Sequence, residues 1–446
     1  MQPAVYCTRS ILYRNTVGSS KSDTPQHCGW RPVINDSLSS PAHLSLAHRI
    51  SGLPLHHHIL PQPYPIEKEQ PFKLEVSGAD LDLLRKRLDL ATFPDELNDV
   101  DWDYGVPLAD MKRLVARWKD EYNWRKAEAE INAFPQSTRH IDIDGFGAFI
   151  SITKGPGHFM EAQKIILLLT AASPDQSSFH AVALSLPGFG FAEVPQKTGF
   201  AITQYAEVSN KLILALGYQE YAVQGGDWGY IIARSMAYTY GAIHMKAWHS
   251  NFAPALSPSY WSNDLLFLVE FIGQLTPAER TRFQRTTQLF ETNLADSPVG
   301  LLAWIYEKFT QWADEYPWED DEVLSWASIY WLSRASPAAS LRIYCEAKNE
   351  DKCDRTDWGW SRIPLGHSFF SKEDFPVPRA WVQAVENVVH ESRHERGGNF
   401  VAYERPEDIV DDLRKMFANG WLASCVVNKT AVLRESPPPT SRCICI

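Results

Sequence analysis

The sequence lacks several features that would assign it to common functional classes. No apolar run approaches the length of a membrane span, and no apolar signal-peptide core follows the N-terminus. Acidic residues outnumber basic ones, and the formal net charge of −11 argues against nucleic acid as a partner. The 7 cysteines are scattered, with neither zinc-site spacing nor a disulfide framework, which favours a reducing compartment. We therefore expect a cytoplasmic protein without a transmembrane span.

The composition that remains is that of a large globular protein. The chain has 446 residues, of which 44% are hydrophobic, and this is ample for a large core. Residues 1–69 are the exception, because they are rich in Ser, Pro and His and show no periodicity. We interpret them as a disordered N-terminal extension. Arg9, Arg14 and Lys21 precede the first acidic residue, so an organelle-targeting segment is the alternative.

One short stretch, residues 221–229, organises the rest of the chain. Its first four residues suit a strand, and residues 230–240 after it suit a helix. Gly225, Asp227 and Gly229 form the Gly-x-nucleophile-x-Gly pattern of a nucleophile elbow, whose sharp turn needs small neighbours. An aspartate there can attack an sp3 carbon and form an alkyl ester, as in epoxide opening or halide displacement. The alternative is an ordinary glycine-rich turn with Asp227 as a helix N-cap.

Patterns on either side of this stretch predict an α/β domain. Apolar residues at helical spacing predict two or three helices in 71–124, and residues 141–152 alternate as a strand. Residues 180–186 suit a buried strand and residues 205–216 a helix. Strands that alternate with helices predict a mainly parallel sheet flanked by helices. The aromatic, helical residues 251–361 look like a lid over the elbow.

The end of the chain carries weaker signals. Strand-like residues return at Trp381-Val382 and at residues 387–389, and a last helix is predicted from Pro406 to Phe417. From residue 421 onward the sequence is weakly patterned and rich in proline. We interpret residues 421–446 as a loose tail.

Three parts of the sequence are informative when they are taken together. They are Pro94-Asp95-Glu96-Leu97 with residues 102–108, residues 185–191 with residues 225–229, and residues 296–304 with Pro376-Val377-Pro378-Arg379. The combination resembles the epoxide hydrolases of the α/β-hydrolase superfamily, in the microsomal-type branch common in fungi, over most of residues 71–420. The resemblance implies an α/β-hydrolase fold with an N-terminal helical meander and a helical lid.

The resemblance also divides the chain into segments. The expected segments are a disordered N-terminal extension (1–69), an N-terminal epoxide-hydrolase helical region (70–137), the first half of the α/β-hydrolase core (138–250), a helical lid (251–361), the second half of the core (362–420) and a loose C-terminal tail (421–446).

Five residues acquire roles through the same resemblance. In this family an aspartate opens the epoxide, two lid tyrosines hydrogen-bond the departing oxygen, and a histidine oriented by an acid then activates water. Asp227 matches the nucleophile, and the backbone N–H of Trp228 matches one oxyanion donor. Tyr344 matches the second lid tyrosine, with a packed lid aromatic as the alternative. Glu373 matches the acid that orients the histidine, with Asp374 as the fallback.

The general base of the family is missing. Asn399, in Gly397-Gly398-Asn399-Phe400, occupies the histidine position, and asparagine cannot take a proton near neutral pH. We interpret the nearby His394 as a solvated loop histidine rather than as a substitute.

Two further parts of the family pattern are missing. The lid segment that should carry the first tyrosine is deleted, and so are the strand and His-Gly-x-Pro turn that should supply a second oxyanion donor. Two interpretations of the remaining residues stay open. Residues 158–169 form the helix that normally follows the turn, or residues 164–169 replace the missing strand, because a gap would leave backbone groups unpaired.

These observations predict an epoxide hydrolase-like protein that converts a lipophilic epoxide to a vicinal diol through an ester on Asp227, with turnover reduced or lost because of Asn399. One alternative is a catalytically inactive relative that folds or binds an apolar ligand. Another is a haloalkane dehalogenase, although Tyr344 and the N-terminal region favour the epoxide hydrolase. No metal or organic cofactor is implied, because nucleophile, acid and water suffice. A homodimer is compatible with the sequence.

Overall fold

The computed structural model describes the chain from residue 69 onward, with gaps. The described ranges are 69–99, 101–143, 146–152, 159–171, 179–241, 243–253, 294–334, 336–349, 360–373, 379–418 and 442–445. Among them, no helix combines the length and the apolar character that crossing a membrane requires.

Helices and strands alternate through most of these ranges. The helices are α1 (Gly78–Asp89), α2 (Leu108–Asp120), α3 (Trp124–Asn132), α4 (Gln163–Thr170), α5 (Ile202–Ala215), α6 (Trp228–Tyr240), α7 (Pro298–Gln311), α8 (Asp320–Trp331), α9 (Arg342–Asn349), α10 (Arg379–Val385), α11 (Val401–Glu404) and α12 (Pro406–Met416). The strands are β1 (Gln70–Pro71), β2 (Ser137–Ile143), β3 (Phe146–Ile152), β4 (Phe179–Val182), β5 (Tyr221–Gln224), β6 (Met245–Ser250), β7 (Ser361–Phe370), β8 (Glu386–His394) and β9 (Arg442–Cys445).

The N-terminal helices α1 to α3 form where the apolar spacing predicts them. Ser77 begins α1 by accepting a hydrogen bond from the backbone N–H of Asp80, and Asn123 begins α3 in the same way. The apolar faces of α1 and α2, including Leu84 and Trp118, are buried against α7 and α8 of the lid region. The N-terminal region therefore supports the lid from outside the sheet.

Strands β1, β2 and β3 form a small antiparallel sheet. The prediction of one strand over residues 141–152 is wrong, because Ile143 pairs with Phe146 and the chain reverses between them. Apolar alternation alone does not reveal such a reversal. The dipeptide Asp144-Gly145, which is a hairpin-turn signal, does.

The main sheet has the order β4-β9-β5-β6-β7-β8, and every neighbouring pair is parallel. Helices α5 and α6 pack on one face, and α4 and α12 pack on the other. The predicted α/β-hydrolase fold, with a mainly parallel sheet flanked by helices, is confirmed. Because the strands are parallel, their carboxyl ends share one edge, where polar loop residues can converge.

Helix α10 occupies residues that the sequence analysis assigned to a strand. Trp381 and Val382 lie in α10, so that prediction is wrong, whereas residues 387–389 lie in β8 as predicted. The reason is topological: β7 and β8 are parallel neighbours, so the chain must cross back over the sheet between them.

Helix α4 decides between the two interpretations of residues 158–169. Gln163–Thr170 is a helix, and buried Ile165, Ile166 and Leu169 pack its apolar side against the sheet. The helical interpretation of residues 158–169 is confirmed for residues 163–169, whereas residues 159–162 form a turn. Recruitment of residues 164–169 as the missing strand is wrong.

The strand that the core lacks comes instead from the far end of the chain. In β9, Ile444 pairs with Ala181 of β4 on one side and with Ala222 of β5 on the other. The interpretation of residues 421–446 as a loose tail is therefore wrong for Arg442–Cys445. The physical reason is the gap itself, since β4 and β5 would otherwise present unpaired backbone groups to each other.

The lid region is anchored to the core through aromatic rings. Ser297 begins α7 by accepting a hydrogen bond of 2.9 Å from the backbone N–H of Gly300. The Lys164 ammonium of α4 lies 3.6 Å from the centre of the Tyr403 ring and donates to the hydroxyl of Tyr316 at 2.9 Å. These contacts fix α4, and the turn that precedes it, relative to the lid.

Candidate active site

The elbow at Asp227 has the strained backbone that the motif predicts. Asp227 lies between β5 and α6 with φ 48° and ψ −123°, in the left-handed region that residues other than glycine rarely adopt. A Cβ on Gly225 would lie 2.6 Å from the backbone of Gly229, and one on Gly226 would lie 2.8 Å from the side chain of Asn251. Neither position has room for a side chain.

The Asp227 carboxylate is not used to cap the helix that it precedes. Its side chain makes no capping hydrogen bond with the first turn of α6, so the ordinary N-cap interpretation does not hold. Trp228 is the first residue of α6, and its backbone N–H lies at the positive end of the helix dipole. A donor at this position suits an oxygen that becomes negative on Asp227.

Tyr344 of α9 faces the elbow from the lid region. Its ring packs edge-on against the Trp228 ring, with centroids 5.0 Å apart and an interplanar angle of 89°. Burial and the Asp227 charge raise the pKa of Tyr344 to about 12, while a hydrogen bond with the Trp228 side chain acts in the opposite direction. The phenol is therefore protonated at neutral pH and can donate to an oxygen near Asp227.

Two further acidic groups lie near Asp227, and the sequence analysis missed both. Burial, and then the Asp227 charge, raise the pKa of Glu161 to about 8. Burial, and then the charges of Glu161, Tyr344 and Asp227, raise the pKa of Tyr330 on α8. We call Glu161, Asp227, Tyr330 and Tyr344 the acidic cluster. The one sequence signal was that Glu161 is a lone carboxylate in the apolar stretch before α4.

Glu373 and Asn399 lie at the same edge of the sheet, in the loops that follow two neighbouring strands. Glu373 follows β7, Asn399 follows β8, and these two strands pair in parallel. The backbone N–H of Lys372 donates to the carbonyl oxygen of Gly397 at 3.1 Å, so the two loops are in contact. The fallback acid, Asp374, lies outside the described residues.

The loop that carries Asn399, residues 395–399, is held firmly against the lid region. The backbone N–H of Asn399 donates to the carbonyl oxygen of Trp312 at 2.9 Å, and that of Gly397 donates to the Asp314 carboxylate at 2.7 Å. A Cβ on Gly398 would overlap the Trp312 carbonyl. The backbone of this loop is therefore fixed, and its side chain at residue 399 is an amide that cannot accept a proton.

His394 is committed to the core rather than to the site. Its Nε2 lies 2.7 Å from the Asp412 carboxylate, and its ring stacks on Phe370. Burial raises the pKa of Asp412, but hydrogen bonds from Ser368, Ser392 and His394 outweigh burial and lower it. The expectation of a solvated loop histidine is wrong, because His394 ends β8 in contact with a buried carboxylate.

Two parts of the predicted site fall outside the described residues. Residues 254–293, just before the lid helix α7, include the place where the first lid tyrosine is expected. Residues 153–158, before the turn into α4, include the place of the second oxyanion donor. The absence of both groups stays a sequence prediction.

Comparison with known proteins gives consistent matches. A family model described as Epoxide hydrolase N terminus matches residues 69–178. A Stigmatella aurantiaca protein whose name assigns it provisionally to the epoxide hydrolases is 32% identical over 389 residues, which are 78% of this chain and 84% of that protein. Epoxide hydrolase 1 of Sus scrofa is 30% identical over 405 residues, which are 78% of this chain and 88% of that protein.

The fold agrees with a solved structure of the same name. The Aspergillus niger epoxide hydrolase superposes with a TM-score of 0.66 and 28% identity, over 80% of this chain and 97% of that one. The shared architecture, the matched N-terminal region and the identity to full-length relatives all point the same way. This chain belongs to the epoxide hydrolase family of the α/β-hydrolases.

Proposed function

We propose that this chain opens a lipophilic epoxide by attack of Asp227 and forms an alkyl ester on that residue. The observation that carries the proposal is the elbow: Asp227 is held at a φ of 48°, with Trp228 beside it in ring contact with Tyr344. A nucleophilic carboxylate, an adjacent backbone donor and a protonated phenol are the groups that epoxide opening requires.

The first half-reaction uses Asp227 and Tyr344, the two reactive side chains of the site that the sequence retains. A carboxylate oxygen of Asp227 bonds to an epoxide carbon while the bond between that carbon and the epoxide oxygen breaks. The departing oxygen becomes negative and accepts a hydrogen bond from the Tyr344 phenol, whose pKa of about 12 keeps it protonated at neutral pH. The rings of Trp228 and Tyr344 favour an apolar, aromatic substituent on the substrate.

The second half-reaction is impaired. The ester must be hydrolysed by water, and the position of the family's base carries Asn399, which cannot remove a proton. Glu373 then has no imidazole to orient. Loss of a general base typically costs about 10²–10⁴ in rate. We therefore propose that the ester on Asp227 accumulates and that diol forms slowly.

A second candidate function rests on Asn399. Asn399 also favours a catalytically inactive relative that folds and binds an apolar ligand. A haloalkane dehalogenase is a weaker candidate, because its support is the Trp that follows the nucleophile. The phenol of Tyr344, whose pKa the Asp227 charge raises, suits a departing epoxide oxygen better than a halide.

Intact-protein mass spectrometry after incubation with styrene oxide tests the proposal, with Asp227→Asn as the control and a parallel assay for diol. We expect a one-equivalent adduct that the control lacks, with little diol. Rapid diol formation without an adduct would contradict the impaired second step. Neither adduct nor diol would favour the inactive relative.

A further inference from the structure

The turn after helix α7 is where the lid region contacts both loops that carry the predicted acid and base positions. One loop follows β7 and carries Glu373, and the other follows β8 and carries Asn399. Asp314, in the turn, contacts both loops with one carboxylate. Its Oδ2 accepts a hydrogen bond of 2.7 Å from the backbone N–H of Gly397, and its Oδ1 lies 3.4 Å from Nζ of Lys372. A single side chain therefore spans the two loops.

These contacts form a closed triangle between the lid turn and the two loops. Its third side is a backbone hydrogen bond of 3.1 Å from the N–H of Lys372 to the carbonyl oxygen of Gly397. We call Asp314, Lys372 and Gly397 the Asp314 bracket. Glu373 follows Lys372 directly, and Asn399 lies two residues beyond Gly397. The spacing between Glu373 and residue 399 therefore depends on this bracket.

Asp314 is itself fixed and charged. Its side chain is 9% exposed, and its backbone N–H donates to the carboxylate of Glu404, at the end of α11, at 2.8 Å. The hydrogen bond from Gly397 lowers the pKa of Asp314, burial acts in the opposite direction, and Lys372 lowers the pKa further. The carboxylate is therefore ionised at neutral pH. A hydrogen bond to an ionised acceptor is stronger than one between neutral groups.

Two further hydrogen bonds lie next to the bracket. The Ser371 hydroxyl donates to the carbonyl oxygen of Glu395 at 2.6 Å and so joins the two loops to each other. The backbone N–H of Asn399 donates to the carbonyl oxygen of Trp312 at 2.9 Å and so joins one loop to the lid turn. Asp314 differs from both pairs, because it contacts the two loops at once from the lid side.

We propose that Asp314 is a positioning residue of this active site, an inference that rests on the proposed function of Asp227. Through the Asp314 bracket it holds Glu373 and residue 399 at the spacing that an acid and a base need for ester hydrolysis. Asp314 transfers no proton itself. The bracket uses the backbone of Gly397 and not the side chain at residue 399, so the spacing is kept although Asn399 cannot act as a base. The defect in the second half-reaction is then confined to one side chain.

A histidine introduced in place of Asn399 should be able to use this spacing. Its imidazole, oriented by Glu373, takes a proton from water while the water oxygen bonds to the carbonyl carbon of the Asp227 ester. The bond from that carbon to the diol oxygen breaks, and the imidazolium returns the proton to the departing oxygen. Asp227 is left as a carboxyl group, which ionises. Displacement of a catalytic group by about 1 Å can cost about 10²-fold in rate, so the gain should depend on Asp314.

Decay of the styrene oxide ester, followed by intact-protein mass spectrometry after removal of excess epoxide, tests the role of Asp314. The quantity compared is the factor by which Asn399→His speeds ester decay, measured with Asp314 and with Asp314→Ala. We expect Asp314→Ala to lower this factor about tenfold or more. A first-order decay constant does not depend on how much of the protein is folded, so a loss of stability alone leaves the factor unchanged.

Two further variants separate the hydrogen bond from the charge. Asp314→Asn keeps an oxygen that can accept from Gly397 and should recover most of the factor. Glu315→Ala is the matched control, because it removes an acid from the adjacent residue. The Glu315 side chain is 76% exposed and contacts Arg396, in the same loop as Asn399, at 3.6 Å. This variant should leave the factor unchanged.

The outcomes separate this inference from the proposed function. Equal factors with Asp314 and with Asp314→Ala overturn the role of Asp314, as does an ester on Asp227 that decays no faster after Asn399→His. Both results leave the ester on Asp227 standing. Absence of any ester, or an ester that Asp227→Asn also forms, overturns the proposed function and the role of Asp314 with it.

A second variant keeps the test available if Asp314→Ala does not fold by circular dichroism. Lys372→Met breaks the Asp314 bracket at a side chain that is 53% exposed, where a substitution is tolerated more easily. It should lower the factor about threefold, since one exposed ion pair is lost. An unchanged factor in Lys372→Met overturns the role of the bracket.

Discussion

The elbow at Asp227 and the loop 395–399 are built alike but differ in chemistry. Both lie at the carboxyl edge of the parallel sheet, and both contain glycines where an added Cβ would collide with backbone or with a fixed side chain. The elbow presents a carboxylate, whereas the loop presents the amide of Asn399. Packing therefore fixes the shape of a loop whose side chain at residue 399 cannot accept a proton. Backbone constraint and proton chemistry are separate requirements, and a chain can keep the first without the second.

The largest expected effect comes from restoring the missing group. Asn399→His should raise the rate of diol formation by about 10²–10⁴, because the loop backbone is already fixed and a general base contributes that much. Gas chromatography of the diol measures it. Asn399→Gln is the control, since it keeps an amide. No gain, with Asp227 still alkylated, would mean that the loop is not the sole defect.

Ester formation on Asp227 should slow when the phenol of Tyr344 is removed. Tyr344→Phe should slow ester formation about 10²-fold, because one donor to the departing oxygen is removed. Tyr238→Phe is the control, since Tyr238 on α6 is 65% exposed. Mass spectrometric time courses give both rates. Equal rates in the two variants would argue that Tyr344 only packs against Trp228.

The strand beside the elbow should be needed for stability. Ile444→Pro removes a backbone donor from β9 and should lower the free energy of unfolding by about 2–3 kcal/mol, since buried ladder groups are left unpaired. Ile444→Val keeps the strand and serves as the control. Denaturant titration measures both, and identical midpoints would refute the pairing of β9 in solution.

A smaller effect should distinguish Gly398 of the loop 395–399 from Gly229 of the elbow. Gly398→Ala should lower the free energy of unfolding by about 1–3 kcal/mol, because its Cβ would overlap the Trp312 carbonyl. Gly229→Ala, at the start of α6, meets open space and should be neutral or slightly stabilising. Thermal melts of both variants measure the difference, and equal losses would show that the loop is not held as described.

The smallest effect concerns Asp412 of α12, whose carboxylate contacts His394 at the end of β8. Because the pKa of Asp412 is lowered in the folded protein, its charged form stabilises the fold, and that contribution is lost as the pH falls through the low folded-state pKa. Asp412→Asn should therefore reduce the loss of unfolding free energy between neutral and acidic pH. Asp411→Asn, at an exposed neighbour, should leave that loss unchanged. Denaturant titrations at the two pH values measure it.

Local chemistry made part of this molecule predictable from sequence. The elbow could be predicted because its shape depends on Gly225, Gly226 and Asp227, which are adjacent in the chain. Helices α1, α2 and α12 could be predicted because amphipathic spacing is also a local property. The prediction at Trp381 failed because a crossover between parallel strands, rather than local propensity, made those residues helical.

Other parts depend on residues that the chain brings together only when it folds. Glu161 and Tyr330 carry no motif, and the Asp227 charge acts on both only because the fold brings the turn before α4 and helix α8 towards the elbow. β9 is four residues long, and it lies between β4 and β5 because these two strands leave a gap in the sheet. The periodicity of residues 442–445 cannot predict this pairing, because the pairing depends on a gap between two strands in another part of the chain.

The placement of β9 also determines the order in which the sheet can assemble. β4 and β5 become joined only when a segment from beyond α12 docks between them. Until then each strand exposes an open edge, and such edges pair readily with other chains. Pairing between residues so distant in sequence also slows folding. Refolding yield should therefore fall with rising protein concentration, so this chain is expected to depend on dilution or on chaperones while it folds.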